Sequence, residues 1–193
     1  MNVVAILLAA GSASRFGSDK LLHALPHGVP VAVQALRHLK AVFDDRILVT
    51  VRPGAKELAD MLRAEGCAIA VCEKSDRGMG ESLACAVRAV PACDAYVIAL
   101  ADMPFIRPSS IEAVRGALLG GAVLAAPYFR ARRGHPVGIS SKFRTELEGL
   151  SADEGAKKLL AAHASALLKL PVGDPGVIRD IDTPGDLAPP IVV

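Results

Sequence analysis

Val3-Val4-Ala5-Ile6-Leu7-Leu8, running on into Ala9-Ala10-Gly11-Ser12-Ala13-Ser14-Arg15-Phe16-Gly17-Ser18-Asp19-Lys20, is the stretch that decides how the rest of this chain reads. The apolar run from Val3 to Leu8 has the length and continuity of a buried parallel strand. The Gly- and Ser-containing residues after it, through Lys20, read as a loop leaving the strand's carboxyl end. In open α/β sheets that is where ligands gather, near a switch in strand order.

Outward from this point, apolar runs alternate with amphipathic stretches. The pattern predicts a helix near Val31 to Val42, a strand at Arg46 to Val51, a helix at Ala55 to Ala64 and a strand at Ala68 to Cys72. A helix at Glu81 to Val90 and a strand at Ala95 to Leu100 follow, so four strands precede residue 101. Beyond it, Ser109 and Glu112 have capping-box spacing at the head of a helix to Leu119. A strand is expected at Val123 to Ala126. Ser151 and Glu154 repeat the capping spacing before Gly155 to Ala162, and Leu167 to Leu170 forms a late strand. With no linker, repeat or low-complexity tract in view, residues 1–193 read as one domain. The expected class is α/β, a three-layer sandwich on a mostly parallel sheet, with room for an antiparallel strand in the less regular second half.

Composition narrows the function. Lys plus Arg number 22 against 20 for Asp plus Glu, and a net charge of +2 gives no broad attraction to nucleic acid. No Trp, two Tyr and five Phe leave little for base-stacking surfaces. The longest apolar run, Val3 to Ala10, falls well short of the ~20 residues that span a bilayer, and no basic stretch with a cleavage site precedes it. These features predict a cytoplasmic protein with no membrane or nucleic-acid partner. Cys67, Cys72, Cys85 and Cys93 show no C-x-x-C pairing and are expected as reduced thiols packed in apolar surroundings. The five histidines are scattered, and His23 with His27 lacks the helical frame of a zinc site.

Several segments carry groups suited to chemistry. Small residues from Ala9 to Ala13 let main-chain N–H groups approach phosphate oxygens, while Arg15 and Lys20 bring positive charge to a polyphosphate. The loop is not a Walker loop, and with glycines only at Gly11 and Gly17 it is not G-x-G-x-x-G. A flexible surface loop with solvated bases has the same composition. Leu100-Ala101-Asp102-Met103-Pro104 sends a carboxylate from the end of the fourth strand, fit either for Mg²⁺ or for an ordinary turn beside a proline. In Arg179-Asp180-Ile181-Asp182-Thr183-Pro184-Gly185-Asp186-Leu187, two carboxylates one residue apart point the same way if the segment is extended, and either completes a Mg²⁺ site with Asp102. Thr183, Pro184 and Asp186 also make a plain helix start that leaves Asp182 free. Gly78-Met79-Gly80-Glu81-Ser82-Leu83 sets backbone and the Ser82 hydroxyl against a base, or is only the turn into a helix. Arg133-Gly134-His135-Pro136-Val137, with Arg132, offers a His and two Arg to an anion, or is a hairpin-like loop.

Taken in order, these segments resemble the MobA-like nucleotidyltransferases, and within them the molybdenum cofactor cytidylyltransferases. The signature L-x-x-G-x-x-x-R-x-G-x-x-K is met at Leu8, Gly11, Arg15, Gly17 and Lys20. Gly78-Met79-Gly80 with Ser82, Leu100 to Pro104, Gly134-His135-Pro136-Val137 and Asp180-Ile181-Asp182-Thr183-Pro184 follow in the family's order, across nearly the whole chain. The resemblance implies a Rossmann-like nucleotidyltransferase fold and Mg²⁺-dependent nucleotidyl transfer. It implies that Leu8, Ala9, Ala10 and Gly11, with Gly80 and Ser82, bind the nucleotide. Arg15 and Lys20 would hold the triphosphate, and Asp102 and Asp182 the metal, with Arg15, Lys20 and Asp102 the catalytic set.

Ala10 stands where guanylyl enzymes typically carry Gly, so the resemblance implies CTP as donor and the terminal phosphate of molybdenum-molybdopterin as acceptor. A recipient molybdoenzyme or its chaperone is the implied partner. Acceptor contacts fall on His135 and on Asp153, within Ala152-Asp153-Glu154-Gly155-Ala156-Lys157, which resembles the family's G-D-x-G-A-R with Ala for its first Gly and Lys for its Arg. Phe16 stands where Met is frequent. The rival readings are guanylyl transfer, nucleotidyl transfer to another phosphorylated small molecule, and a non-catalytic sensor or maturation partner. A dinucleotide-dependent dehydrogenase fits poorly, since Val51-Arg52-Pro53 puts no acidic residue at the end of the second strand.

Overall fold

The sheet is built outward from β1 (Val3–Ala9), whose side chains divide between two cores. Ala5, Leu7 and Ala9 enter one apolar cluster and Ile6 and Leu8 the other, as the period-two geometry of a strand requires. This computed structural model describes residues 1–11, 19–152 and 155–188. β1 pairs in parallel with β2 (Ile47–Val51) on one side and β4 (Ala95–Leu100) on the other, and β3 (Ala68–Val71) pairs in parallel with β2. The chain therefore steps away from β1 in one direction through β2 and β3, then returns to its other side at β4. That reversal is the switch in strand order, and β1 and β4 both point their carboxyl ends into it.

The helices cover both faces, giving a three-layer α/β sandwich on a mostly parallel sheet. α1 (Val31–Phe43), α2 (Lys56–Ala64) and α4 (Pro108–Leu119) bury Leu36, Leu39, Phe43, Leu58, Leu62 and Val114 in the first cluster. α3 (Met79–Ala89), α5 (Arg144–Glu148) and α6 (Lys157–Ala162) bury Leu83, Val87, Leu147, Leu159 and Leu160 in the second. Each such side chain withdrawn from water contributes about 1.5–3 kcal/mol before the entropy of ordering it is counted.

The second half adds a mixed edge. β7 (Val137–Ser140) runs antiparallel between β4 and β5 (Leu124–Phe129), β8 (Leu167–Pro171) lies parallel on the other edge of β5, and β6 (Arg132–Arg133) is a two-residue hairpin partner to the end of β5. β7 is buried throughout. Gly138 allows α4 to lie directly on it, since a Cβ there would stand 2.9 Å from Val114 Cγ1 and 3.0 Å from Leu118 Cδ1.

Two expectations are corrected. The Ser109–Glu112 capping box does not form. Helix α4 starts one residue earlier with Pro108 in its first turn, and the buried Asp174, far along the chain, accepts from Arg107 N at 2.9 Å and Ser110 Oγ at 2.7 Å. Cys72 and Cys85 are not reduced thiols. They form a disulfide, with Cα atoms 5.9 Å apart, because the residue after β3 lies against the second turn of α3. The segment 133–137 agrees with its hairpin-like reading: Arg133 closes the β5–β6 hairpin, and residues 134–136 form the loop into β7. Cys67 and Cys93 are free and half-buried, and burial pushes both thiols above their ordinary range. The Ser151–Glu154 box falls partly outside the described residues. Among the described residues no helix is long and apolar enough to cross a membrane.

Candidate active site

A cavity of about 370 Å³ lies where β1 and β4 end, with Leu8, Ala9, Ala10 and Gly11 on one wall and Ser82 of α3 on another. Lys20 and Asp102 also border it. Asp102 is held at the strand end by a continuation of the sheet: Ala101 N donates to Leu8 O at 3.0 Å, and Asp102 O accepts from Ile181 N at 2.9 Å. That last bond brings in the C-terminal segment. Ile181 is fully buried in the first core, so its neighbours in an extended segment are turned outward. Asp182 thereby comes to the site. Thr183 and Asp186 form a capping box for the 3-10 turn Pro184–Leu187, with Thr183 N and Oγ1 donating to Asp186 Oδ2 at 2.8 and 2.7 Å. The cap occupies the Asp186 carboxylate and leaves that of Asp182 to other partners.

Its partner is Lys20. The Lys20 ammonium donates to Asp102 Oδ2 at 2.8 Å, to Ile181 O at 2.7 Å and to Asp182 Oδ1 at 3.2 Å, joining residues 82 and 162 positions away. Burial works to lower the lysine pKa, but the hydrogen bonds and charges of Asp102 and Asp182 outweigh it and the net shift is upward. The ammonium therefore stays charged at neutral pH. Asp102 Oδ1 is buried and has no hydrogen-bond partner among the described residues. Two carboxylates and a carbonyl oxygen already gathered around one cation, with a spare buried carboxylate oxygen beside them, form the all-oxygen donor set that a hard divalent ion accepts. Among the described residues no group of three or more His, Cys, Asp and Glu side chains converges, so the remaining ligands would be substrate phosphate and water.

Lys20 opens the 3-10 turn Lys20–Leu22, capped by Asp19, whose Oδ1 accepts from Leu21 N at 3.2 Å. Asp19 Oδ2 accepts from Arg52 Nη2 at 2.8 Å, and Arg52 Nη1 donates to Gly11 O at 3.1 Å. Neither Asp19 nor Arg52 stood out in the sequence. A signal existed: β1 and β2 run in register with Ala9 beside Val51, so the residue after Val51 emerges next to the loop that leaves β1.

The other sequence-derived residues are placed as follows. Arg15 and Asp153 lie outside the described residues. Gly80 does not border the cavity; a Cβ there would stand 2.7 Å from Ser151 O and 2.8 Å from Ala152 O, so its bareness admits that backbone against α3. Asp180 is exposed and is not among the partners of Lys20. His135 is half-buried, its Nδ1 out of solvent and unpartnered among the described residues. Burial, helped by the charge of Arg133, pushes its pKa down to about 4. The ring is therefore neutral at neutral pH, and the positive charge near this segment comes from Arg132 and Arg133.

The family model for the MobA-like NTP transferase domain matches residues 5–167. The purine catabolism protein PucB of Bacillus subtilis (strain 168) is 30% identical over 194 aligned residues, covering 94% of this chain and 92% of that protein. Among solved structures, Rv0371c from Mycobacterium tuberculosis H37Rv superposes with a TM-score of 0.84 at 26% identity, covering 96% of this chain and 94% of that one. A nucleotidyl transferase from Methanothermobacter thermautotroptrophicus superposes at 0.80 with 20% identity, over 96% and 94% of the two chains, a likeness of fold alone.

Proposed function

This chain belongs to the MobA-like NTP transferase family, and from that premise we propose that it transfers CMP from CTP to the terminal phosphate of molybdenum-molybdopterin. Pyrophosphate leaves and molybdopterin cytosine dinucleotide forms. The observation that carries the reading is the Lys20 ammonium bound between Asp102 and Asp182 beside a cavity walled by main chain from Leu8 to Gly11. Attack by a phosphate monoester on the α-phosphorus needs no protein nucleophile; it needs aligned anions and neutralised charge.

In this reading Lys20 brings positive charge to the triphosphate, working with Arg15. Main-chain groups of Leu8, Ala9, Ala10 and Gly11 approach base and ribose, and the Ser82 hydroxyl closes the opposite wall. Asp102 and Asp182 would hold a divalent ion such as Mg²⁺, with Asp102 Oδ1 free to serve as a ligand. When bound, that ion neutralises negative charge on the phosphates. The Ala10 methyl occupies wall space at the place where the family's guanylyl enzymes carry Gly, which supports a pyrimidine over a purine. Neutral His135 offers hydrogen bonding, and Asp153 contact, to the acceptor.

The test is turnover with CTP, Mg²⁺ and molybdenum cofactor, read as pyrophosphate release. CTP should be strongly preferred to GTP, and equal turnover with the two would remove the cytidylyl assignment. Asp102→Ala should abolish release while the chain remains folded, since a strand-end carboxylate leaves no core cavity behind.

A further inference from the structure

We propose that Arg52 is a positioning residue for phosphate binding, a role that rests on the nucleotidyl-transfer reading above. Its guanidinium ties the end of the β1 wall to the turn that carries Lys20. One branch, Nη1, donates to Gly11 O at 3.1 Å; the other, Nη2, meets Asp19 Oδ2 at 2.8 Å. Gly11 borders the cavity. Asp19 caps the turn beginning at Lys20 through its other oxygen, so both carboxylate oxygens are engaged and the turn is fixed relative to β2. The Lys20 ammonium is fixed from the other side by Asp102, Ile181 and Asp182.

The planar fork suits this task. Guanidinium donors are held at a set angle, so one side chain spaces two acceptors rigidly, whereas an ammonium is a single point of charge. Arg52 sits just past the end of β2, and the in-register neighbour of that end on β1 is Ala9, so the reach to Gly11 is short. The Asp19 carboxylate side chain is 14% exposed and that of Arg52 34%, leaving the pair partly shielded from water. Arg52 thus couples the main chain at Gly11 to the turn from which the Lys20 side chain reaches the site. A nucleotide whose ribose lies against Gly11 and whose phosphates meet Lys20 is sensitive to how the two are placed, and phosphate alone is sensitive to where the turn presents Lys20.

The decisive experiment compares binding of inorganic pyrophosphate and of CTP with Mg²⁺, by calorimetry, in wild type, Arg52→Ala, Arg52→Lys and Asp19→Asn, with thermal midpoints measured alongside. Arg52→Ala should weaken both ligands roughly 10- to 100-fold, as misplaced phosphate-contacting groups do. Arg52→Lys should restore only part of this. Asp19→Asn keeps an oxygen for the Leu21 cap but turns an amide donor toward Arg52, and should weaken binding comparably. In steady state the loss should fall on KM for the nucleotide more than on kcat.

Full restoration by Arg52→Lys would mean that charge alone matters and would overturn the positioning role. So would weakened binding in Arg52→Ala with normal binding in Asp19→Asn, which would mark direct contact with the ligand. Unchanged binding in Arg52→Ala leaves the arginine no role in the site. Pyrophosphate carries neither base nor acceptor. If wild type binds it but not CTP, the cytidylyl assignment falls while the variant series still decides the role of Arg52; if wild type binds neither, both fall.

Discussion

Lys20→Met removes a cation from between two carboxylates and leaves the carboxylates facing each other. Asp102 Oδ2 and Asp182 Oδ1 each contact the same ammonium, at 2.8 and 3.2 Å, so they stand no farther apart than about 6 Å. Two unit charges at that distance repel by about 3 kcal/mol with the effective dielectric near 20 that suits partly exposed pairs. The Asp182 side chain is 53% exposed and can turn toward water, so the net loss should be roughly 1–2 kcal/mol. In a chain of this size that lowers the thermal midpoint by about 2–8 °C in metal-free buffer. Manganese without nucleotide should then stabilise the variant more than the wild type, because ammonium and divalent ion no longer compete for the same oxygens and binding to the folded state raises stability by mass action. The assay is a thermal melt of both proteins across a manganese titration with no nucleotide present, with the metal Kd measured separately by calorimetry. A variant as stable as wild type without metal and no more responsive to manganese would refute the reasoning.

His135 should leave a pH signature. Its folded pKa is near 4 against an ordinary 6.5, so between those values the unfolded chain binds the extra proton. Its contribution is complete above pH 6.5, is lost as pH falls toward 4, and levels off below; the full span is at most about 3 kcal/mol. Urea midpoints in that window should flatten in His135→Gln, and an unchanged acid limb in the variant would remove the histidine from the account. Gly80→Ala should destabilise by about 1–3 kcal/mol although Ala favours helices, because the new methyl meets backbone oxygens at 2.7 and 2.8 Å. A rise in the denaturation midpoint would show that residues 151–152 yield freely.

What the sequence offered unevenly follows from physics. The strands of the first half were legible because each is an apolar run bounded by an amphipathic helix, and β4 runs over the expected residues, Ala95–Leu100. β7 was not, because four residues containing a glycine and buried on both faces carry no period to read. Helix α4 begins at Pro108 rather than Ser109 because its start is held by Asp174, a partner no local spacing reveals. In the site, the strand-end position of Asp102 could be read from Leu100 and Pro104. That Lys20 would rest on Asp102 and Asp182 could not, since the three meet only after the sheet and the buried Ile181 are in place. Arg52 was visible only as a missing acid, because its acceptors are a backbone oxygen and a capping carboxylate. Cys72 and Cys85 are joined across thirteen positions with no motif to announce it.

That covalent link makes the stretch from Cys72 to Cys85 a macrocycle, and Ser75, Asp76, Gly78, Met79 and Ser82 of the cavity wall all ride on it. Closing a ring of this size removes roughly 3 kcal/mol of disorder from the unfolded chain. Opening it leaves that wall to the core packing of Leu83 and Val87, while the wall built from β1 keeps its sheet hydrogen bonds. A nucleotide affinity measured on this pocket should therefore be accompanied by the oxidation state of that ring.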